Sequence, residues 1–314
     1  MVMTIEVRVP ATSANLGPGF DVLGLALGLY NEILYEEADR VAVSVEGEGA
    51  EGLDTGADNV VSRGARMVYE AAGRRFHGAT IRCINRIPLA RGLGSSAAAW
   101  VGGLVAANAA LGSLLDRDAV LALACRAEGH PDNVAAALLG GLTVSCAVGQ
   151  RVVAVSLPVP AEVTWVVLVP EAQSSTREAR ALLPSTVSRV DAVFNLQRMG
   201  LLLAALGTGQ TDLLGLGMED RLHQPQRLPL FPWMETVRRA ALEAGALGCA
   251  LSGAGPSLLA AVRGAAEPVG RAMEQALRRA GGAGRAFGLP VDTAGATWNP
   301  AGPSPVSVSK EVET

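Results

Sequence analysis

The segment RGLGSSAAAW, residues 91–100, contains the residue types best suited to binding an anion. It lies between a predicted strand and a predicted helix, so it presents unpaired backbone N–H groups at a helix N-terminus, where the helix dipole adds positive potential. Gly92 and Gly94 allow positive φ and close approach of a ligand. Ser95 and Ser96 can cap the helix or bind Mg²⁺. The segment predicts a phosphate-binding loop, although the pattern alone also fits an ordinary turn with a capping serine.

The distribution of reactive side chains argues against several other chemistries. The only lysine is Lys310, which excludes a Schiff-base lysine and the lysine of the common phosphate-binding loop. The three histidines, His77, His130 and His223, are far apart and form no zinc-binding motif. A nucleophilic serine in the loop would need a GxSxG turn and a histidine partner, and the sequence offers neither. A serine hydrolase is therefore a weak alternative.

The composition is that of a well-buried globular protein. Of the 314 residues, 49% are hydrophobic and 18% are charged. The net charge of −4 argues against a nucleic-acid partner. No apolar run has the length of a membrane span, MVMTIEVRVP lacks the features of a signal peptide, and the four cysteines form no CxxC pair. We therefore expect a cytoplasmic protein with neither a membrane nor a nucleic acid as its partner.

Periodicity and turn residues predict an α+β chain in two halves that meet across a cleft. The pattern of TIEVRVPA predicts a strand that ends at Pro10, followed by a glycine- and proline-rich loop. Two prolines in LPVPAEV, residues 157–163, mark a linker between the halves. Further strands are expected within residues 40–49, 78–88, 133–148, 163–171 and 248–262, and helices within 59–73, 95–112 and 116–129.

Four segments occur in the order of the motifs of a known kinase superfamily. They are PATSANLGPGFDVLG (10–24), PLARGLGSSAA (88–98), EGHPDNVAAALLGG (128–141) and LSGAGPSLLAAV (251–262). Together they resemble the galactokinase/homoserine kinase/mevalonate kinase/phosphomevalonate kinase (GHMP) superfamily. The segments SSTREARALLP and HQPQR make the chain most similar to the homoserine kinase branch of that superfamily.

The resemblance implies an architecture. It is the α+β, two-domain GHMP kinase fold, with nucleotide and substrate bound in the interdomain cleft. We expect an N-terminal domain at residues 1–157, a C-terminal domain at 158–297 and a disordered tail at 298–314. The superfamily is often dimeric, which implies a possible homodimer.

The resemblance also implies ATP and Mg²⁺ as cofactors. In this superfamily, backbone amides replace the lysine around the ATP phosphates, and Mg²⁺ and arginines supply the remaining charge. Asn59 and Ser62 are implied at the adenine, and Ser96 and Glu128 at Mg²⁺. The loop residues implied in nucleotide binding are Pro88, Leu89, Ala90, Arg91, Gly92, Leu93, Gly94, Ser95, Ser96, Ala97 and Ala98.

The implied reaction is phosphorylation of the L-homoserine hydroxyl in threonine biosynthesis. Arg180 and Arg227 match the carboxylate-binding arginines of the branch, and a guanidinium suits that task because it can bond both carboxylate oxygens. The other implied substrate-binding residues are Asn15, Asp21, His130, Ser252 and Gly253.

The residues expected near the transferred phosphoryl group are Asn133, Thr176 and Arg180. Asn133 stands where mevalonate and galactose kinases carry an aspartate, so the hydroxyl proton can pass directly to the γ-phosphate while Asn133 orients the alcohol. Asp132 can instead be structural, and the sequence assigns no general base. Two alternatives stay open: another small-molecule kinase of the superfamily, acting on mevalonate, a sugar or a methylerythritol derivative, or a binding protein of this fold without catalysis.

Overall fold

The larger of two β-sheets carries the N-terminal half of the chain. The computed structural model describes residues 3–149 and 151–301, and in these ranges this sheet has seven strands. They are β1 (Thr4–Asn15), β2 (Gly19–Glu37), β3 (Ala42–Gly47), β4 (Ala79–Asn85), β5 (Leu142–Val148), β6 (Arg151–Leu157) and β11 (Thr297–Ala301). The order is β11–β1–β2–β4–β3, and the first part of β2 also pairs with β5, which pairs with β6. Within the sheet, β3 and β4 are parallel.

The smaller sheet lies in the C-terminal half. Within the described residues it contains β7 (Val163–Pro170), β8 (Gly248–Leu251), β9 (Leu258–Arg263) and β10 (Gly284–Leu289). The order is β10–β7–β9–β8, and each neighbouring pair is antiparallel. The predicted strand–turn–strand of residues 248–262 is confirmed as β8, a glycine-rich turn and β9.

The helices cover the sheets and bring several chain segments to the cleft. They are α1 (Val60–Ala71), α2 (Ser95–Ala110), α3 (Arg117–Glu128), α4 (Asp132–Leu139), α5 (Thr176–Ala181), α6 (Arg189–Thr208), α7 (Leu214–Gly217), α8 (Gln224–Arg227), α9 (Met234–Glu243) and α10 (Glu267–Arg279). Helix α2 is buried along most of its length and packs against α1, α3, α4 and β1. Because neighbours surround α2, its N-terminus has a fixed direction.

The prediction that the first strand ends at Pro10 is wrong. Strand β1 continues to Asn15, and Pro10 pairs with Tyr30 immediately before a register shift between Pro10 and Ala11. A proline lacks the N–H that a regular ladder uses, but an irregularity of this kind tolerates it. The expected long loop therefore shrinks to residues 16–18, between β1 and β2.

The expected disorder after residue 297 is also wrong for residues 298–301. These residues belong to β11, which pairs with β1 from Thr4 opposite Ala301 to Arg8 opposite Thr297. A short edge strand with prolines nearby carries a weak sequence signal, because its pairing partner is remote in the chain. Residues 302–314 of the expected tail lie outside the described residues. The predicted division at 157/158 falls between β6 and β7 and stays a prediction, since β11 returns to the larger sheet.

Helix α6 is the one helix among the described residues that is long and apolar enough to cross a membrane, with 22% of its apolar window buried. Its Asn195 is buried and donates from Nδ2 to Pro18 O at 3.2 Å and to Asp220 Oδ1 at 2.7 Å. Helix α6 therefore connects directly to the β1–β2 loop. The absence of a membrane partner stays a prediction.

Candidate active site

Two neighbouring cavities open between the halves of the molecule. The first, called here the polar cavity, has a volume of about 110 Å³. It is lined by residues from the ranges 14–21, 88–96, 128–133 and 174–180, together with Arg227, Gly253 and Ala254. The second, the apolar cavity, has a volume of about 620 Å³ and is lined largely from β3, β4, α1 and the start of α2. Ala90, Ser95, Ser96, Ser174 and Thr176 line both cavities, so the glycine loop and the residues before α5 separate them.

The backbone of the glycine loop is free to bind an anion. Among the described residues, none accepts a hydrogen bond from the backbone N–H groups of residues 89–97. The first bond of helix α2 runs from Ala98 N to Gly94 O at 2.9 Å. Ala90, Gly92 and Gly94 have φ of 55°, 72° and 68°. This run of donors at the N-terminus of a 16-residue helix is the arrangement that stabilises phosphate oxygens.

Close packing against other backbone segments fixes the glycine loop. A Cβ at Gly92 would lie 2.2 Å from Ser252 O, and a Cβ at Gly94 would lie 1.9 Å from Thr12 Oγ1. Thr12 N also donates to Leu93 O at 3.0 Å. Glycine is therefore required at both positions, as the sequence predicted, and the contacts that require it come from β1 and from the turn between β8 and β9.

Two side chains predicted to contact a ligand hold this loop instead. Ser252 is fully buried, lines neither cavity, and its hydroxyl lies 2.6 Å from Gly92 O. The guanidinium of Arg91 donates to Leu89 O, Pro170 O and Glu171 O at 2.8–2.9 Å. Because these partners occupy both side chains, the structure corrects the predicted substrate contact of Ser252 and leaves Arg91 to act through its backbone N–H.

Only some of the residues predicted to bind the nucleotide line the apolar cavity. Asn59 lines it and caps helix α1, with Oδ1 accepting from Val61 N at 2.9 Å. Leu89 lines it as well. Ser62 is fully buried on α1 and lines neither cavity, so its predicted nucleotide contact is not supported.

The last two residues predicted to bind the nucleotide lie in the first turn of helix α2. Ala97 and Ala98 are fully buried in the core, and neither side chain lines a cavity. The N–H of Ala97 is one of the free loop donors, whereas the N–H of Ala98 is used inside the helix. The structure therefore corrects the assignment of Ala98.

Ser96 and Glu128 meet at the edge of the glycine loop. Ser96 Oγ donates to Glu128 Oε2 at 2.7 Å, which joins the first turn of α2 to the last residue of α3. Mg²⁺ prefers oxygen ligands and retains waters and phosphate oxygens, so one hydroxyl and one carboxylate fit it. Among the described residues, no group of three or more His, Cys, Asp and Glu side chains could hold a metal ion.

His130, Asp132 and Asn133 form a linked group on the floor of the polar cavity. His130 Nδ1 donates to Asp132 Oδ1 at 2.7 Å, and the same oxygen accepts from Asn133 N at 2.7 Å. Burial lowers the pKa of His130, but the hydrogen bond to Asp132 and the charges of Asp132 and Glu128 outweigh burial and raise the pKa above its usual value. Asp132 therefore orients His130 and starts helix α4, which is the structural role left open above.

Asn133 presents a free acceptor to the polar cavity. Its Nδ2 donates to Thr12 Oγ1 at 2.8 Å, and no described residue donates to its Oδ1. An amide held by its nitrogen keeps its oxygen available for a hydroxyl donor. Thr176, the first residue of α5, is exposed at the boundary between the cavities.

Asp21 and Arg180, both predicted to bind substrate, bind each other. The Arg180 Nη atoms donate to the two Asp21 carboxylate oxygens at 2.5 and 2.9 Å, and each side chain is about one-third exposed, at 35% and 33%. The hydrogen bond to Asp21 raises the pKa of Arg180. Asn15 braces the same loop, because its Oδ1 accepts from Asp21 N and its Nδ2 donates to Gly253 O, both at 3.1 Å.

Arg227 is almost completely buried, with 1% of its surface exposed, although it lines the polar cavity. Nη1 donates to His223 Nδ1 and to Gly253 O, each at 2.9 Å, and Nε donates to Ala179 O at 3.4 Å. Burial and the nearby Arg180 cation lower the pKa of Arg227 to about 10. Arg227 is therefore still a cation at neutral pH.

Phe20 is a cavity residue that the sequence reasoning missed. Its ring centre lies 5.3 Å from the Arg180 guanidinium carbon and 5.7 Å from that of Arg227. The ring lies at a tilt of 32° to the His223 ring, at 5.4 Å. A phenylalanine directly between the glycines of GPGF and Asp21 was the available signal, because an apolar ring in a polar turn needs partners in the folded protein.

Comparison with known proteins identifies two family models that match this chain. Residues 59–141 match the GHMP kinases N terminal domain, and residues 202–279 match the GHMP kinases C terminal model. These matches define the class as the ATP-dependent GHMP kinases.

Individual relatives refine this class. A homoserine kinase from Moorella thermoacetica is 49% identical over 275 residues, 88% of this chain and 93% of its own. One from Desulfitobacterium hafniense is 44% identical over 293 residues, 93% of this chain and 99% of its own. The crystal structure of homoserine kinase from Cytophaga hutchinsonii, 33% identical, superposes with a TM-score of 0.87 over 94% of this chain and 97% of that one. The chain belongs to the homoserine kinase family of the GHMP kinases.

Proposed function

We propose that the chain transfers the γ-phosphoryl group of ATP to the hydroxyl of L-homoserine and forms O-phospho-L-homoserine for threonine biosynthesis. The observation that carries this proposal is the run of unbonded N–H groups at residues 89–97, which opens on a cavity lined by the guanidinium groups of Arg180 and Arg227. Backbone donors suit a polyphosphate, and two guanidinium groups suit a carboxylate. Membership of the homoserine kinase family supports the choice of acceptor.

In this proposal the ATP phosphates lie along the glycine loop and the adenine lies in the apolar cavity. The loop bends around the phosphates with its free N–H groups, so no lysine is needed. Asn59 and Leu89 line the side where the base would lie. Phosphoryl transfer relies mainly on positioning and charge stabilisation, and a preorganised set of backbone donors supplies both.

Ser96 and Glu128 are the proposed protein ligands of Mg²⁺. Their oxygens lie 2.7 Å apart at the mouth of the loop, next to the proposed phosphate position. Bound Mg²⁺ would add positive charge where the phosphates carry negative charge. Glu128 also lies 4.0 Å from His130 Nε2, so the carboxylate faces both the loop and the acceptor side of the cleft.

The homoserine zwitterion would bind by replacing the ion pair between Asp21 and Arg180. Its carboxylate would accept hydrogen bonds from Arg180 and Arg227, and its ammonium group would donate to Asp21. The ion pair within the protein is thus replaced by two ion pairs with the ligand, one at its carboxylate and one at its ammonium group. A sugar acceptor lacks both charges and would leave the ion pair between Asp21 and Arg180 intact. The site therefore favours an amino acid as acceptor.

For the transfer itself, the acceptor hydroxyl would donate to Asn133 Oδ1. This contact orients an oxygen lone pair toward the γ-phosphate. With homoserine bound, Asp21 would accept from the substrate ammonium group, and Asp132 accepts from His130, so neither carboxylate is assigned as a base here. The hydroxyl proton passes to a γ-phosphate oxygen, and Thr176, at the boundary of the two cavities, contributes a hydroxyl near the reacting groups.

Two further assignments are part of the proposal: a cytoplasmic location and a homodimer. The cytoplasmic assignment is supported by the free thiols Cys83 and Cys249 in the core. The dimer is supported by exposed apolar side chains on one face of α6, at Val190, Val193 and Leu196.

The decisive experiment measures ADP release from Mg·ATP with L-homoserine, L-serine, mevalonate and galactose offered separately. We expect turnover with L-homoserine and the formation of O-phospho-L-homoserine, identified by mass spectrometry. Turnover with mevalonate or galactose alone would contradict the carboxylate-and-ammonium pocket while leaving the phosphate loop intact. ATP binding by calorimetry without turnover of any acceptor would contradict the kinase proposal.

A further inference from the structure

A buried imidazole behind the polar cavity has two hydrogen bonds that fix its protonation. His223 is fully buried and lies outside the lining of the cavity. Its Nε2 lies 2.7 Å from Gly17 O, and its Nδ1 lies 2.9 Å from Arg227 Nη1. A carbonyl only accepts and a guanidinium only donates, so Nε2 must carry the proton and Nδ1 must be the acceptor. Only the neutral Nε2–H form of His223 satisfies both contacts.

The surroundings of His223 favour the same neutral form. Burial lowers the pKa of His223 to about 4, although the charge of Asp220 opposes the shift. Asp220 is already occupied, because its carboxylate accepts from Asn195 Nδ2 and from the backbone N–H groups of residues 222–224. The ring is therefore a fixed neutral acceptor for Arg227 at the pH of the cytoplasm.

We infer that His223 is a positioning residue that aims Arg227 at the carboxylate of the substrate. A guanidinium is planar, so contacts at two of its nitrogens set the direction of the third. His223 and Gly253 O hold Nη1 and Ala179 O holds Nε, while Nη2 donates to no residue that the structure describes. Arg227 thus reaches the polar cavity with one donor group available. This inference rests on the proposed carboxylate-binding role of Arg227.

The second contact of His223 ties this orientation to the other half of the cleft. Gly17 lies in the three-residue link between β1 and β2, which is flanked by Asn15 and leads to Asp21. A Cβ at Gly17 would lie 2.2 Å from Met218 O, so this link is packed tightly against the segment before α8. His223 therefore contacts both the link that leads to Asp21 and the guanidinium of Arg227. It holds these two charged groups at a fixed separation, as a ligand with charges at both ends requires.

Two single substitutions separate the two contacts. In His223→Asn the amide oxygen can stand in for Nδ1 and accept from Arg227, but the side chain is too short to reach Gly17 O. In His223→Gln the amide nitrogen can stand in for Nε2 and donate to Gly17 O, but the acceptor facing Arg227 is lost. If His223 only filled space, the smaller asparagine would leave the larger void and would be the more damaging change.

If His223 positions Arg227, the glutamine variant should bind homoserine less well than the asparagine variant. We expect His223→Gln to raise the KM for homoserine by roughly tenfold relative to His223→Asn, as loss of a hydrogen bond to a charged group would do. The KM for ATP should stay unchanged in both, and the thermal unfolding temperatures show whether the asparagine variant is the less stable. A homoserine KM for the glutamine variant that is equal to or below that of the asparagine variant would overturn the inference.

A measurement on the unaltered protein covers the case in which neither variant folds. The chain has three histidines, so substituting His77 and His130 in turn assigns the ring resonances of His223 in a ¹H–¹⁵N spectrum. We expect the Nε2–H form at neutral pH and a shift of the Nδ1 resonance when homoserine is added. An Nδ1–H or doubly protonated ring would overturn the inference. Absence of homoserine turnover in the unaltered protein would instead refute the proposed function, and the ring form would still be measured.

Discussion

The two sides of the cleft present different kinds of binding group: backbone N–H groups on one side and side chains on the other. The glycine loop is one continuous segment, and its donors are backbone N–H groups of residues 89–97. The acceptor side takes its polar groups from four distant segments: the start of β2, the start of α4, α5 and α8. There the groups that face the cavity are side chains, among them Asp21, Asn133, Arg180 and Arg227.

This difference determines what each side depends on. A backbone site needs the correct chain path, so a residue matters there mainly when it changes φ or collides with a neighbour. A side-chain site needs each charged group to be held by others, as Asp21 holds Arg180 and His223 holds Arg227. Changes on the loop should therefore affect the nucleotide first, and changes on the acceptor side should affect the amino acid selectively.

The largest effect is expected from Gly92→Ala. The new Cβ would meet the backbone oxygen of Ser252 at 2.2 Å in a residue with φ of 72°, so the loop must move. We expect kcat/KM for ATP to fall by about 10²–10³, the range seen when preorganised backbone or amide donors are removed from a reacting centre. Steady-state kinetics at saturating homoserine measures the loss.

Gly112→Ala is the matched control for this loop variant. Gly112 has φ of 76°, but its Cβ would meet nothing within 4 Å, and it lies beyond the far end of α2. It therefore introduces the same backbone strain without a collision and away from the cleft. If Gly92→Ala and Gly112→Ala had equal kinetics, the view of the loop as a rigid backbone site would be refuted.

A smaller and more selective effect is expected from Arg180→Ala. Loss of a charge-assisted hydrogen bond costs about 1.5–3 kcal/mol, so the KM for homoserine should rise by about 10- to 150-fold. The KM for ATP should change little, because Arg180 lies on the acceptor side. Arg198→Ala provides a control, since its guanidinium bonds to Glu219 at 2.8 Å away from the cavity lining. Parallel rises in both KM values would contradict the separation of the two sides.

The same contrast explains which features could be predicted from the sequence. The glycine loop and the helix α2 that follows it are local, so spacing and residue type were sufficient to predict them. Ser96 and Glu128 came from the resemblance, and their role at Mg²⁺ stays a proposal. The roles of Ser252 and Ser62 could not be predicted, because a buried hydroxyl and a cavity-lining hydroxyl look alike in a sequence.

The long-range pairings were equally hidden from the sequence. Pro10 remains in β1 because of a register irregularity opposite Tyr30, and β11 forms because β1 offers it an edge. Asp21 and Arg180 were both found by resemblance, but their mutual ion pair spans 159 positions and needs the fold.

The smallest expected effect tests whether Asp132 controls the protonation of His130 on the floor of the polar cavity. Asp132→Asn removes the carboxylate that raises the pKa of His130 against burial, so the midpoint of the His130 ring titration should fall below that of the unaltered protein. His77, which is exposed, gives a reference resonance in the same NMR experiment.

Stability gives the same test a second readout with a definite sign. Because the folded pKa of His130 lies above its ordinary value, its contribution to stability is complete below pH about 6.5 and is lost as the pH rises through the folded pKa. The Asp132→Asn variant should lack this loss, so its free energy of unfolding should vary less with pH in that window. The asparagine keeps an amide Oδ1 that can accept from Asn133 N, so the variant removes the charge of Asp132 and can retain its hydrogen bond to the first turn of α4. An unchanged slope with an unchanged His130 midpoint would show that Asp132 only supports the first turn of helix α4, and that the His130–Asp132 pair does not rely on opposite charges.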